Sequence, residues 1–459
     1  MEQFRLDAML DNARLHAPAP FTVHGEDPIF PSRFRVGEAS AVAQGLAASA
    51  AAELHARRTG DTQSVSVDVG AAAATLVSHD FELIDGEPVP QPWWEVPATN
   101  AMYRCRAGDW IYLQGQLPHL HQGILGLLGC GDDALSVGDA VAGWDSFELE
   151  AELAERRLCG ARARTPEEWA THPQGAYLQQ LPAVRISRIG DGRVHRLAPA
   201  DRPLDGVRVL EFARILAGPM TGRTLAEHGA DVLNVSSSRL FDFFMTTLVT
   251  GRGKRSTFLD LDDGDDLSRL RALLDDCDVF VDGFRPGALA ARGLGPEELA
   301  ELRPGIVYVT VSCYGNGGPW RERRGWEQLA QMVSGLAIGQ GSPEQPEIVL
   351  PGAPNDFITG ILAAYGTITA LTRRSEEGGS WLVEASLSQT AGWIVRNGTV
   401  DPAHPGGVPA ETRVETQAGP LGACTHLAPV VRMSRTPPRW ERGTPQWGAD
   451  SPSWTSSRA

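Results

Sequence analysis

Apolar runs alternate with helical segments through residues 204–312. The strand-like runs are 207–210, 231–235, 279–281 and 306–311. Parallel β-α-β units produce this alternation, because each parallel strand needs a crossover, usually a helix, before the next strand. The pattern therefore predicts an α/β protein with a doubly wound, Rossmann-like parallel sheet. In such sheets, ligands bind at the carboxyl ends of the strands.

The first half of the chain has a different pattern. From 37 to 58 it is almost all alanine and other helix formers, with apolar residues around nearly the whole circumference. A helix of this kind is buried on most of its sides. Residues 64–69 alternate like a half-buried strand, and 102–113 resemble a hairpin with Gly108 and Asp109 near its turn. We expect a smaller α+β domain in this half.

The chain beyond Arg396 holds many prolines and glycines and shows little periodicity. Pro445 and Pro452 lie between tryptophans that recur every seven residues, and these prolines exclude a coiled coil. We expect an extended tail that anchors onto the body through its tryptophans, which are Trp440, Trp447 and Trp454. The pattern divides the chain into three parts, which are residues 1–200, 201–395 and 396–459.

The composition is ordinary for a protein that forms a core. Of the 459 residues, 42% are apolar and 21% are charged, and the net charge is −16 at pH 7. Nucleic acids and anionic membranes need a broad basic surface, so neither is expected as a partner. An anionic small ligand stays open, because it needs only a local basic patch.

Export and metal binding are not indicated. The first seven residues lack the apolar segment of a secretory signal, and no apolar run is long enough to span a bilayer. The six cysteines show no Cys-x-x-Cys spacing, which argues against a zinc site or a redox pair. We expect buried thiols, a cytoplasmic location and no metal or cofactor. Cys313 stays open as a catalytic thiol, although its burial is the favoured interpretation.

Residues 350–365 carry the most informative candidate for chemistry. Ile358, Ile361 and Tyr365 fall at helical spacing, so a buried helix begins here with Asp356 at its amino-terminal end. The helix dipole and the free N–H groups keep a carboxylate ionised there, as a nucleophile must be. Aspartate is also a favoured helix N-cap, and spacing alone favours that structural role.

Two glycine-containing turns have residues that suit an anionic ligand. Residues 251–256 combine two glycines with three cations, although a solvated turn is the simpler interpretation. In 282–287, Phe284 and Arg285 follow a strand and suit an adenine ring and a phosphate, and a plain strand-to-helix turn is the alternative. Neither Gly-x-Gly-x-x-Gly after the first strand nor a Walker-type Gly-Lys-Ser/Thr is present, so a nicotinamide cofactor is not indicated.

Eight short phrases, in this order, resemble the class III CoA-transferase family. This family is also called the carnitine dehydratase/bile-acid-inducible family and includes formyl-CoA transferase-like enzymes. The resemblance covers residues 202–395 and implies a transferase that moves CoA between an acyl-CoA donor and a carboxylic acid acceptor. The phrases are 204–211, 216–219, 229–232, 253–256, 284–287, 293–295, 314–319 and 356–360.

The resemblance also implies a mechanism. Asp356 would attack the donor thioester to give a mixed anhydride, and the released CoA would then form an aspartyl-CoA thioester that the acceptor carboxylate attacks. Backbone N–H groups near glycine-rich loops would hold the developing oxyanions. CoA is thus a substrate rather than a cofactor, and a homodimer is expected. The residues implied in CoA binding are Lys254, Arg255, Phe284, Arg285 and Arg292.

The first 200 residues resemble a degenerate copy of the same family. Segment 50–69 matches 366–385 without a gap, and this register sets Ser40 opposite Asp356. Residues 101–195 resemble the small domain of the family. The first copy lacks both the nucleophile and the nucleotide-binding sheet, so we expect one active site.

Two alternatives follow from departures from the family pattern. Asn234, Asp262 and Ala291 stand where basic residues are usual or frequent. This loss of positive charge motivates a catalytically weak or silent acyl-CoA-binding subunit as the first alternative. The second is an α-methylacyl-CoA racemase-like isomerase, which uses a histidine in a Gly-His-Asp phrase. Here residues 325–327 read Gly-Trp-Glu, and this makes the two-base route of racemisation the weaker alternative.

Overall fold

The computed structural model describes residues 1–89, 96–240 and 242–455. Its strands form one large sheet and three small ones. In chain order, the strands of these residues are β1 (Thr22–His24), β2 (Val65–Asp68), β3 (Leu83–Ile84), β4 (Glu87–Pro88), β5 (Asn100–Arg104), β6 (Trp110–Gln114), β7 (Gly160–Arg162), β8 (Val184–Gly190), β9 (Arg208–Phe212), β10 (Asp231–Ser236), β11 (Lys254–Phe258), β12 (Val279–Asp282), β13 (Val307–Ser312), β14 (Ser380–Ser386), β15 (Val414–Gly419), β16 (Gly422–Leu427) and β17 (Arg432–Met433).

The helices cover the faces of the large sheet and build much of the first 200 residues. Two of them, α2 and α15, have 24 residues each. In chain order, the α-helices of the described residues are α1 (Gln3–Ala13), α2 (Val36–Thr59), α3 (Val69–Leu76), α4 (Pro118–Leu128), α5 (Ala134–Ala142), α6 (Ser146–Glu155), α7 (Pro166–Thr171), α8 (Pro173–Gln179), α9 (Ala217–Glu227), α10 (Phe244–Thr250), α11 (Gly264–Leu274), α12 (Pro296–Leu302), α13 (Glu327–Ser334), α14 (Leu336–Gln340), α15 (Pro354–Glu377) and α16 (Leu387–Arg396).

The large sheet has the order β11-β10-β9-β12-β13-β14-β8. The strands β9 to β14 are parallel, and β8 pairs antiparallel with β14 at one edge. Counted from β9, the parallel strands follow the order 3-2-1-4-5-6 of doubly wound sheets. The predicted α/β fold with a doubly wound parallel sheet is confirmed. The order reverses between β9 and β12, so a crevice opens where their carboxyl ends diverge.

Buried strands and stacked rings hold the centre of this sheet. Every residue of β9 and of β12 is buried, as expected for parallel strands covered on both faces. The rings of Phe212, Phe280 and Tyr308 stack along one face, with centroids 5.0 Å and 5.2 Å apart. The hydroxyl of Tyr308 donates a hydrogen bond of 3.0 Å to Asp282. These contacts fix the strand ends that open into the crevice.

The helix α2 packs along α15, and the surroundings of the two helices have the same order of elements. Each is followed by a strand and a helix: β2 and α3 after α2, and β14 and α16 after α15. In this arrangement Ser40 is fully buried, and its hydroxyl donates to the carbonyl oxygen of Ala72 at 2.8 Å. The position that aligns with Asp356 therefore has neither a carboxylate nor access to solvent.

A smaller α+β unit lies within the first half, as predicted. Its antiparallel sheet has the order β5-β6-β7, and the hairpin predicted near Gly108 is the pair β5 and β6. The helices α4, α5 and α6 cover this sheet, with Ile111, Leu113 and Leu149 fully buried between them. This unit faces the carboxyl ends of the large sheet, where the site lies.

The tail differs in part from an extended segment. Residues 414–427 form the hairpin β15 and β16, which extends a sheet begun by β3 and β4. Sequence pattern missed this hairpin because a ladder to residues some 340 positions upstream holds it in place. The tryptophans do anchor the tail: the indole N–H of Trp440 donates to Arg223, and that of Trp454 donates to Leu273.

The three predicted parts are interleaved in space. Strand β8 from the first part is the edge strand of the large sheet, and β17 from the tail pairs with β2. The bounds 1–200, 201–395 and 396–459 stay a prediction. Across the described part of the chain, the helices lack the combination of length and apolar character that a membrane span requires.

Candidate active site

A cleft of about 420 Å³ lies at the carboxyl ends of the central strands. The segments that line it follow β9 (214–218), β12 (283–288) and β13 (312–313). This is the point where the strand order reverses, and ligands of doubly wound sheets bind there. The cleft therefore lies where the sequence pattern places a ligand.

Asp356 lines this cleft from the first turn of α15. Ala353 is the N-cap residue and Pro354 occupies the first helical position, so Asp356 is the third residue of the helix. The N-cap interpretation of Asp356 is therefore wrong. The proline starts the helix earlier than the apolar spacing indicated, because its fixed φ suits a first helical position. The carboxyl group stays within reach of the helix dipole and borders the cleft.

The environment of Asp356 changes its acidity. Burial among protein atoms raises the pKa of this carboxyl from its usual 3.8 to about 7. A carboxyl group with a raised pKa is a stronger base when ionised, and it ionises only partly at neutral pH. This differs from the prediction that the helix dipole keeps Asp356 ionised, because the effect of burial outweighs that of the dipole and places the proton equilibrium in the physiological range.

Glu327, the first residue of α13, lies directly behind Asp356. Its Oε2 accepts a hydrogen bond of 3.0 Å from the backbone N–H of Asp356. Its Oε1 accepts from the side chains of Asn355 and Gln331, both at 2.8 Å. Burial and the nearby Asp356 carboxylate raise the pKa of Glu327 well above its usual range. The charge of each carboxyl group therefore opposes ionisation of the other.

Two glycines bring the start of α15 and the loop before α13 to the cleft. A Cβ atom at Gly360 would collide with the carbonyl oxygen of Ala217, where α9 begins. A Cβ atom at Gly325 would collide with the side chain of Cys313. Both glycines thus have a packing reason, because the helix at Gly360 approaches the backbone of α9 closely and the loop at Gly325 approaches the side chain of Cys313 closely.

The wall of the cleft has a basic part and an apolar part. The guanidinium of Arg324 donates a hydrogen bond of 3.0 Å to Nε2 of His119. Burial, Arg324 and Arg214 lower the pKa of His119, so this imidazole is neutral and accepts the bond. The basic side chains lining the cleft are Arg214, Arg285, Arg323 and Arg324, and the large apolar ones are Leu117, Leu120, Ile215, Leu216, Leu240, Phe284, Val311, Trp326 and Leu387.

The first half of the chain contributes to this wall. Leu117, His119 and Leu120 lie at the start of α4, and Cys159 precedes β7. Sequence pattern left open whether this half takes part in the site. The structure shows that its smaller unit closes one side of the cleft, opposite the turns of the large sheet.

Two of the residues predicted to bind CoA lie in the cleft. Phe284 and Arg285 follow β12, and the backbone N–H of Phe284 donates to Asp282 at 2.9 Å. The guanidinium of Arg285 is exposed, and burial together with the positive charges of Arg324 and Arg157 lowers its pKa. Arg285 therefore adds to a concentration of positive charge that an anionic ligand would neutralise.

The other three predicted residues lie outside the cleft lining. Lys254 is buried, and its ammonium donates to Glu211 at 2.6 Å and 2.9 Å and to the carbonyl oxygen of Pro219. Arg255 pairs with Asp231 and donates to Ser453 of the tail. Arg292 is exposed and pairs with Asp262 at 2.7 Å. Their role in CoA binding stays a prediction, and their present contacts are structural.

The cysteines that border the cleft are thiols of low acidity. Burial raises the pKa of Cys159 to about 12, and burial with nearby Asp356 and Glu327 raises the pKa of Cys313 well above its usual range. Neither is activated as a thiolate nucleophile at neutral pH. In the described ranges, groups of three or more His, Cys, Asp or Glu side chains arranged for a metal ion are absent.

Sequence reasoning named the phrase 325–327 but missed what its acid does. The available signal was the match of this phrase with Gly-His-Asp, which sets Glu327 opposite an aspartate. Arg323, Arg324 and His119 were also missed. Arg323 and Arg324 come from a loop without periodicity. His119 lies in the first turn of α4, and the smaller unit brings it to Arg324 over a separation of 205 positions.

The fold and the cleft define an α/β protein whose ligand site holds an acid beside basic and apolar walls. The family model of CoA-transferase family III matches residues 204–422. An acyl-CoA transferase of Gibberella moniliformis is 33% identical over 414 residues, which are 80% of this chain and 72% of that protein. The chain therefore belongs to CoA-transferase family III, a family of transferases.

Other relatives match over a shorter part. Acetyl-coenzyme A transferase nodX of Hypoxylon pulicicidum is 38% identical over 45% of this chain and 36% of its own length. Succinyl-CoA:glutarate CoA-transferase of Homo sapiens is 35% identical over 40% of this chain and 45% of its own length. A solved CAIB/BAIF family protein from Brucella suis is 29% identical, with a TM-score of 0.40, over 43% of this chain and 56% of that one. The chain thus spans about half or less of the length of these three proteins.

Proposed function

We propose that this chain transfers CoA from an acyl-CoA donor to a carboxylic acid through an aspartyl-CoA thioester on Asp356. The observation that carries the proposal is the position of this carboxyl: it lies at the start of a helix, in the cleft at the strand-order reversal. The names of the relatives support an acyl-CoA and a carboxylic acid as substrates.

The first step would be attack of an Asp356 oxygen on the carbonyl carbon of the donor thioester. A C–O bond forms, the C–S bond breaks, and CoA leaves as a thiolate, which leaves a mixed anhydride on Asp356. The thiolate then attacks the aspartyl carbonyl carbon. This releases the donor as a carboxylate and leaves CoA joined to Asp356 as a thioester. Splitting one exchange into such steps is the advantage of a covalent intermediate.

The second half repeats these steps with the acceptor. Its carboxylate attacks the aspartyl thioester, CoA leaves again as a thiolate, and a second anhydride forms. The thiolate attacks the acyl carbon of the acceptor, which gives the new acyl-CoA and free Asp356. No net proton is taken up or released over the cycle. The ionised form of Asp356 is therefore the one that starts and ends it.

The surroundings of Asp356 suit these steps. The amino-terminal dipole of α15 would stabilise the negative oxygens that form on each carbonyl. Glycine-containing segments at Gly218, Gly283 and Gly325 line the cleft and supply backbone N–H groups nearby. The arginines of the wall would attract the phosphates of CoA. Glu327 would act as a positioning residue, because it holds the backbone of the first turn.

Trapping the covalent intermediate tests the proposal. The protein is incubated with acetyl-CoA or succinyl-CoA, and its intact mass is measured before and after hydroxylamine, which converts an aspartyl thioester into a hydroxamate. We expect a CoA adduct that peptide mapping assigns to Asp356. Asp356→Asn should remove the adduct, and Asp265→Asn, a change in the exposed first turn of α11, should retain it. Transfer without an adduct on Asp356, or with one elsewhere, would refute the assignment.

A catalytically silent acyl-CoA-binding subunit is the second candidate. The observation in its favour is that Lys254, Arg255 and Arg292 are already paired with carboxylates of the chain. Such a subunit would bind acyl-CoA by calorimetry but would not exchange a labelled carboxylate into it. The expected homodimer also stays a prediction from family resemblance.

A further inference from the structure

The position of Trp326 in the cleft bears on the size of the acyl group that the cleft can admit. Trp326 has the largest side chain among the residues that line the cleft. It directly precedes Glu327, whose carboxylate binds the backbone of Asp356. Its carbonyl oxygen accepts a contact of 3.6 Å from the thiol of Cys313, which also borders Asp356. The backbone of Trp326 therefore lies close to the acid, and its side chain borders the same cleft.

Trp326 has one contact through its backbone and another through its side chain. Its backbone contacts Cys313 and leads directly into α13. Its side chain interacts with the thiol of Cys159, which belongs to the smaller unit. A rotation of the indole away from this position would lose the contact with Cys159.

The chemistry of the neighbouring wall indicates what the remaining space takes. Arginines line one part of the cleft and suit the phosphates of CoA. Leu117 and Leu120 of the smaller unit and Leu387 before α16 supply apolar surface. A volume of about 420 Å³ must admit the pantetheine arm as well as the acyl group. The acyl group therefore shares this limited volume with the pantetheine arm, and Trp326 takes up part of the surrounding wall.

We infer that Trp326 determines the acyl size, so that this site takes short acyl groups and rejects acyl chains of medium length. The inference rests on the proposed function, since it names the substrate class of the same cleft. A longer chain would meet the indole before its carbonyl carbon reached Asp356. Hydrophobic pockets discriminate by size through such contacts, with effects of about 10-fold to 200-fold for one methylene.

Binding of unreactive CoA thioethers tests the inference without any need for transfer. S-ethyl-CoA and S-hexyl-CoA are titrated by calorimetry into the wild type, Trp326→Ala and the milder variant Trp326→Leu. The ratio of the two affinities is taken within each protein, so a fraction of inactive protein does not change it. Trp454→Ala is the matched control, because Trp454 stacks with Arg208 at the amino end of β9, away from the cleft.

The expected result is that the wild type binds S-ethyl-CoA more tightly than S-hexyl-CoA. Trp326→Ala should improve the affinity for S-hexyl-CoA about tenfold or more relative to S-ethyl-CoA, with a smaller gain for Trp326→Leu and none for Trp454→Ala. An unchanged ratio in both Trp326 variants, or equal affinities in the wild type, would overturn the inference.

The outcomes separate this inference from the proposed function. A size limit that Trp326→Ala removes, found in a protein that transfers no CoA from acetyl-CoA, would support the inference and refute the transfer activity. Transfer through Asp356 with an unchanged affinity ratio would support the transfer activity and refute the inference about Trp326. Failure of every variant to bind either thioether would refute both.

Discussion

The backbone N–H of Asp356 donates a hydrogen bond of 3.0 Å to Oε2 of Glu327. This bond joins the first turns of two helices, since Glu327 begins α13 and Asp356 lies in the first turn of α15. Both acids therefore lie at the positive ends of helix dipoles, which favour negative charge. The arrangement allows a carboxyl pair to be buried next to a substrate cleft.

The first prediction is a loss of activity at low pH. The pKa of Asp356 is about 7, and only the ionised carboxylate attacks a thioester. The kcat/KM for the acyl-CoA donor should therefore rise with pH and level off above about 7. Below that it should fall about tenfold per pH unit, since kcat/KM reports the ionisation of the free enzyme. Initial rates at each pH give kcat/KM. A value of kcat/KM that stays constant well below neutral pH would contradict the prediction.

The second prediction concerns Glu327→Gln. The amide keeps the shape of the side chain but places an N–H group where one of the two oxygens accepts hydrogen bonds. The first turn of α15 should shift, with kcat lower by roughly 10-fold to 100-fold and a smaller change in KM. Steady-state kinetics give the split between the two constants. Glu322→Gln, at an exposed surface pair, is the control and should leave both unchanged.

A purely structural role for Glu327 would give a different result. In that case Glu327→Gln would lower the melting temperature and the amount of folded protein, and the kcat per active site would stay the same. Titration of active sites by the covalent adduct distinguishes the two outcomes.

The third prediction concerns Arg285→Ala. Arg285 borders the cleft, and the described residues offer its guanidinium no carboxylate within ion-pair distance. Its removal should weaken CoA binding about tenfold, the effect of one charge-assisted hydrogen bond, with little effect on stability. Calorimetry with CoA and thermal melting measure the two quantities. An unchanged affinity for CoA would remove Arg285 from the site.

The fourth prediction concerns Lys254→Met. In contrast to Arg285→Ala, this change should lower the stability of the fold rather than the affinity for CoA. The ammonium neutralises the fully buried Glu211 carboxylate, so its loss leaves an unpaired charge between β9 and β11. Breaking a buried pair in this way costs about 3–5 kcal/mol of unfolding free energy. Denaturant titration measures this loss. A variant of normal stability with weak CoA binding would instead support the direct contact that family resemblance implies.

The pattern of the chain predicted the elements with a strong local signal. The helix expected over 37–58 is α2, and the strand expected over 306–311 is β13 with a shift of one residue. The apolar pattern identified them because it can be read within each segment, without knowledge of the rest of the fold. The hairpin of the tail was not predicted, because its strands 414–419 and 422–427 are held by contacts with distant parts of the chain.

A residue of the site could be predicted only where a reactive side chain lies in a segment whose secondary structure can be recognised from the sequence. Apolar spacing predicted that a buried helix starts near Asp356, although it favoured an N-cap position, which was wrong. The role of Asp356 as nucleophile comes from the family resemblance and stays a prediction. Lys254 was assigned to CoA from its turn, and only the fold shows that Glu211 of the next but one strand takes up its charge. Its burial depends on strand order, which residue spacing does not determine.

The side of the cleft built by Leu117, His119 and Leu120 has a consequence for how the protein can diverge. These residues take no part in the parallel sheet or in the turn that carries Asp356. Replacements at the half-buried Leu117 and the exposed His119 would alter the shape of the ligand space without changing the first turn of α15. Leu120 is fully buried and belongs to the core, so the same freedom does not extend to it.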